Sequence, residues 1–170
     1  FNIFGPDPAS AAARAYVSAT ALLTAQQTQH VIAANLRGEA FNSWAGPVSV
    51  ATGAEYRRDE ASAVVDANSA AALFEFTNSQ PYTGKVDVKE VYGEVVFPLL
   101  KDAPFAKELD FNAAGRLTNY STSGSVFTWK SGLSWAINEQ LRLRGTLSRD
   151  IRAANVLELY SRVSGGAFFV

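Results

Sequence analysis

Arg116, Arg142, Arg144 and Arg152 are the side chains in this sequence best suited to holding an anion. The guanidinium is permanently charged and presents its donors as a rigid fork. Arg142, Arg144 and Arg152 recur at even positions, which an extended strand points to one face. Two readings of them stand side by side: an anion-binding surface, or a wet wall whose charge is balanced by Asp110, Glu90 and Glu94. The second demands less of the sequence. The other reactive groups do not converge. His30 is the single histidine, so a Ser-His-Asp triad would have to form around it, and no G-x-S-x-G elbow is present. Glu90 and Glu94 lie about 13 Å apart by strand rise, too far for the carboxylate pair of a glycosidase. Cysteine is absent, which removes disulfides and thiolate metal sites. Gly165-Gly166 and the other glycines follow no phosphate-loop spacing. No catalytic residue, metal or cofactor is expected.

The elements that position these arginines are strands. From Leu141 to Arg152 the odd positions are apolar or small except for Arg149, and every even position is polar. The same period of two governs Ile32–Ala40 and Val48–Asp59, then Glu90–Phe97, Leu109–Thr118 and Phe127–Trp135. Pro98 is expected to close the Glu90–Phe97 segment. Six strands in an antiparallel meander result, joined at 44–47, 60–85, 99–108, 120–125 and 136–140. The 60–85 connection is long for a compact domain, which marks it as functional or mobile. Long and short connections fall at opposite ends of the sheet, as they do in outer-membrane barrels. The short 120–125 link breaks that trend. Residues 1–29 stand apart from the strand region at 30–170. Within them Asp7-Pro8-Ala9-Ser10 reads as a cap ahead of a short helix ending at Val17, and Ser18–Gln29 as extended or irregular.

At 170 residues and net charge −1, the chain reads as one domain with no bulk attraction for nucleic acid. It opens at Phe1 and contains no methionine, so it reads as a processed product or an excised piece. No charged stretch leads into an apolar run at its start, so no signal peptide is expected. No stretch approaches the roughly 18 apolar residues of a membrane-crossing helix; a crossing strand needs only about 9–11.

Taken in order, several motifs resemble the barrel of a TonB-dependent outer-membrane receptor. They are Ala45–Arg57 (AGPVSVATGAEYR), Glu90–Leu99 (EVYGEVVFPL), Ala113-Ala114-Gly115-Arg116 with Tyr120-Ser121, and Leu141–Gly145 leading into Arg152–Tyr160. The family has an Arg-Ala-Pro-Asn stretch in that last place. Here Ala154 replaces the proline, which removes a restraint from the loop, and Tyr160 stands where phenylalanine is common. The resemblance covers residues 30–160 and implies part of a barrel of about 22 strands, in the outer membrane of a Gram-negative cell. It implies energy-coupled uptake of a scarce nutrient such as a ferric siderophore. The membrane lipid, a plug domain and a TonB-type coupling protein, the last two through a longer parent chain, are its implied partners. No plug is visible in this sequence. The four arginines would then face the lumen, where they are candidates for the nutrient.

The competing reading is a soluble β-sandwich or small barrel that binds through its 60–85 loop. The apolar face separates the two. Ala34, Gly38, Ala54, Gly93, Ala113, Gly115 and Gly145 are small for a packed soluble core and acceptable against lipid. An enzyme is the least favoured class. Six strands of a larger barrel leave two unpaired edges, so the chain alone is expected to self-associate.

Overall fold

The computed structural model describes residues 10–75 and 78–161. Six strands form one sheet in sequence order, the expected meander: β1 (Leu23–Ser43), β2 (Gly46–Val65), β3 (Tyr82–Ala103), β4 (Ala106–Tyr120), β5 (Gly124–Ala136) and β6 (Arg142–Arg149). Three short helices accompany them, α1 (Ala11–Val17), α2 (Ala67–Ala70) and α3 (Val156–Tyr160). Helix α1 falls where its residues predict, with Ser10 as its cap: the Ala13 amide donates to the Ser10 hydroxyl at 3.1 Å. The Asp7-Pro8 part of that start, like Gly165-Gly166, lies outside the described residues.

Most strand ends differ from the sequence reading, and most strands are longer. β1 begins at Leu23 rather than His30, through residues with little alternation. Ladder hydrogen bonds use the backbone, so pairing extends a strand past the stretch where side chains announce it. β2 and β3 likewise narrow the 60–85 connection to residues 66–81. β3 does not end at Pro98 but runs on to Ala103, with a register shift between Pro98 and Leu100. That bulge accommodates the amide proline lacks. β6 is the exception, stopping at Arg149 and leaving Asp150, Ile151 and Arg152 beyond it.

The ladders sort the side chains by face as the period of two requires. On β3–β4–β5, Val91 pairs with Leu117 and Leu117 with Phe127; Phe97 pairs with Phe111 and Phe111 with Leu133. The next apolar rung is Leu109, Trp135 and Leu143. On the opposite face Tyr92 pairs with Arg116 and Arg116 with Thr128, while Ser134 pairs with Arg144. The apolar rungs of β4 run from Leu109 to Leu117. Eight steps at about 3.3 Å give about 26 Å along the strand, close to what a tilted transmembrane strand needs.

Among the described residues no large side chain is buried in a core. The most fully buried side chains are only Val48 and Ser69, and the other buried residues are mainly alanines and valines. The apolar face is open: Val91 is 53% exposed, Phe127 52% and Leu147 67%. A sandwich would cover that face with a second sheet, whereas the described residues form one sheet.

At the short-turn end two indoles tie down backbone. Trp44 Nε1 donates to the Leu99 carbonyl and Trp135 Nε1 to the Phe105 carbonyl, each at 2.8 Å. The Trp44 and Phe97 ring centroids lie 5.5 Å apart. Amphipathic rings anchored at one level of a sheet suit a membrane interface.

The chain divides into two compact units, Phe1–Gln27 with Glu60–Gly84 and Val156–Val170, and Thr28–Asp59 with Lys85–Asn155. In the first, Asp66 is the organising residue. Its carboxylate accepts from the amides of Leu22 (2.8 Å), Asn68 (3.0 Å) and Ser69 (3.0 Å), and from the Ser69 hydroxyl (2.6 Å). These bonds, the Ser69 hydroxyl foremost, hold its carboxyl down at about 2. In the same unit the ring of Tyr160 lies where a side chain on Gly84 would stand. The second unit carries the polar face described next.

Candidate functional site

Ahead of its bulge, β3 presents its even-numbered side chains on the same face as the even-numbered residues of β4 and β5, and there the charges meet. Arg116 Nη1 lies 3.1 Å from Glu90 Oε1, and the Thr118 hydroxyl donates to Glu90 Oε2 at 3.0 Å. The Arg116 guanidinium sits over the Tyr92 ring, 5.4 Å from its centroid, a cation–π contact. Tyr92 in turn donates its phenol to Asn35 Oδ1 at 2.7 Å, and its carbonyl accepts from the Thr52 hydroxyl at 2.8 Å. Gly53 belongs to this cluster, since a β-carbon there would collide with Asn35 Oδ1 and the Tyr92 ring. The chain Asn35–Tyr92–Arg116–Glu90–Thr118 thus links β1, β3 and β4 through polar contacts.

A concavity of about 320 Å³ lies over this wall, lined among others by Glu90, Tyr92, Glu94, Arg116, Lys130 and Asp150. It offers two cations and three carboxylates around an aromatic ring. Such a surface can hold a polar ligand of either sign by hydrogen bonds. No group of three or more potential metal ligands occurs among the described residues.

The four predicted arginines do not converge. Arg116 is in the concavity. Arg142 shares its face but sits at the far end of the sheet, opposite Ala136, where it bonds Glu108 at 2.9 Å. Arg144 is on the same face, opposite Ser134 and exposed. Arg152 lies past the end of β6, so the strand does not place it beside the other two. The balance of charge is also more local than the sequence suggests: Glu90 answers Arg116 and Glu108 answers Arg142. Alternation along β3 and β5 puts Glu94 and Lys130 on the polar face. That they border the same concavity as Arg116 and Tyr92 follows from register between strands, which a single strand's pattern does not contain. A second charged cluster on β2 has Arg57 between Glu55 (3.1 Å) and Asp59 (3.3 Å), with Gln29 donating to Asp59 at 2.7 Å.

The family described as "TonB dependent receptor-like, beta-barrel" matches residues 2–170 of this chain. No curated protein and no solved structure matched the sequence.

Proposed function

Because this chain belongs to the TonB-dependent receptor β-barrel family, an outer-membrane receptor and transport family, we propose that it forms a stretch of the barrel wall through which a scarce nutrient, such as a ferric siderophore, is taken up. The observation that carries this reading is the two-faced register of β3–β6: apolar rungs on the lipid side, the Arg116–Glu90–Tyr92 cluster on the lumen side. Uptake on this reading needs a plug and a TonB-type energy-coupling protein, contributed outside these residues, and the reading assigns the wall no catalysis. Among the four arginines, Arg116 is the favoured nutrient contact, since it alone borders the concavity; Arg142, Arg144 and Arg152 are left with wall and rim roles.

The test uses cells that depend on the receptor containing this segment for radioiron-loaded siderophore. Uptake is expected to stop when a protonophore collapses the inner-membrane proton gradient, and to fall in Arg116→Gln at unchanged outer-membrane abundance. Uptake that survives the protonophore would contradict energy coupling. Uptake unchanged in Arg116→Gln would remove that residue from the site.

A further inference from the structure

On β3, β4 and β5 the lipid-side rungs change character abruptly at one level. Val91, Leu117 and Phe127 form the last apolar rung, and the next one outward is Lys89, Asn119 and Ser125. One rung separates hydrocarbon-compatible side chains from a cation and two hydrogen-bonding groups. The adjoining β4–β5 turn is at the end of the sheet that barrels of this kind turn to the cell exterior, so the boundary belongs to the outer leaflet. A groove of about 530 Å³ runs across it, bordered by Ile32, Ala34, Ala54, Val91 and Leu117 on the apolar side and by Lys89 on the polar side. The alanines sit low between the bulkier side chains and leave a trough open to the bilayer.

We propose that this groove holds one anionic phosphorylated lipid of the outer leaflet, an acyl chain along Ala34, Ala54 and Val91 and the phosphate on Lys89. Lys89 is exposed and has no ion-pair partner among the described residues. The neighbouring acids are already engaged. Glu90 pairs with Arg116 and Glu55 with Arg57, and Asp87 takes Arg58 at 2.7 Å and the Tyr56 phenol at 2.6 Å. The positive charge at the groove's head is therefore uncompensated, at the depth where lipid phosphates lie. Asn119 Nδ2 gives one of its two hydrogens to Ser125 Oγ at 2.8 Å, which leaves the other for a phosphate oxygen. This site is on the face opposite the Arg116 concavity and does not depend on what the receptor imports.

The experiment is native mass spectrometry of the refolded chain in detergent, titrated with phosphatidic acid or with diacylglycerol of the same acyl chains. Phosphatidic acid is expected to be retained about fivefold better, the weight of one lysine near an anionic lipid. Lys89→Gln should abolish that preference, and Lys130→Gln, on the other face, should keep it. Ala54→Leu, which fills the trough, should weaken retention of both lipids. Equal retention of the two lipids by the unaltered chain, or a preference that persists in Lys89→Gln, would overturn the proposal. So would unchanged retention in Ala54→Leu, or full displacement of phosphatidic acid by an equal concentration of inorganic phosphate.

Discussion

Single residues on β6 differ sharply in what a charge would cost them. Leu147 pairs with Ser131, which pairs with Ala113, the middle of the five apolar rungs that run from Leu117 to Leu109 on β4. Leu143 belongs to the last rung at the short-turn end, beside Trp135. Arginine on a lipid-facing strand costs about 2–4 kcal/mol at the bilayer midplane and about 0–1 kcal/mol near the interface. Leu147→Arg is therefore expected to be the more damaging of the two, and Arg144→Leu, on the lumen face, nearly neutral. Unfolding of the three variants by denaturant in one lipid composition measures this. Equal losses at 147 and 143 would mean the rungs are not at different depths. Arg149 shares the apolar face opposite Trp129, one rung outward of Leu147. At that depth its long side chain can reach toward the headgroups, at the free end of an edge strand.

Among the elements, the start of the connection 66–81 is organised by the Asp66 carboxylate. The Asp66 carboxyl titrates near 2, below its ordinary 3.8. A depressed carboxyl contributes in full above the unfolded value and loses that contribution as pH falls through the folded one. Amide exchange at Leu22, Asn68 and Ser69, corrected for intrinsic rates, should show full protection above pH about 3.8 and a loss toward pH 2. Asp66→Asn should lower protection at neutral pH and flatten the pH dependence; protection that is constant across this window would contradict the role. The sequence showed the existence and faces of all six strands, because alternation is local and each strand carries it. The ends were less legible. Leu23–Gln29 is paired without alternating, and Pro98 sits inside a strand because a bulge absorbs it. Arg116 was identified as a candidate from its type, but its contacts with Tyr92 and Glu90 depend on which residues stand opposite across two ladders. Register alone places Tyr92 under the guanidinium.

For the whole molecule, the central consequence is that, among the described residues, the sheet has two terminal strands and an uncovered apolar face. β1 and β6 are terminal in the strand order, and each leaves a row of backbone groups for pairing. With those edges unpaired the chain is expected to self-associate, read as a mass above the monomer's by light scattering in dilute detergent. A stable detergent-free monomer would show that the sheet closes on itself. The account as a whole rests on which face of β4 meets lipid. The chain contains no cysteine, so single cysteines at each position from Phe111 to Leu117 give unambiguous nitroxide labels in reconstituted bilayers. Collision with oxygen should peak at 111, 113, 115 and 117, and collision with a water-soluble nickel chelate at 112, 114 and 116. Two profiles in the same phase, or the opposite assignment of odd and even positions, would contradict the lipid-facing and lumen-facing faces from which the transport reading is built.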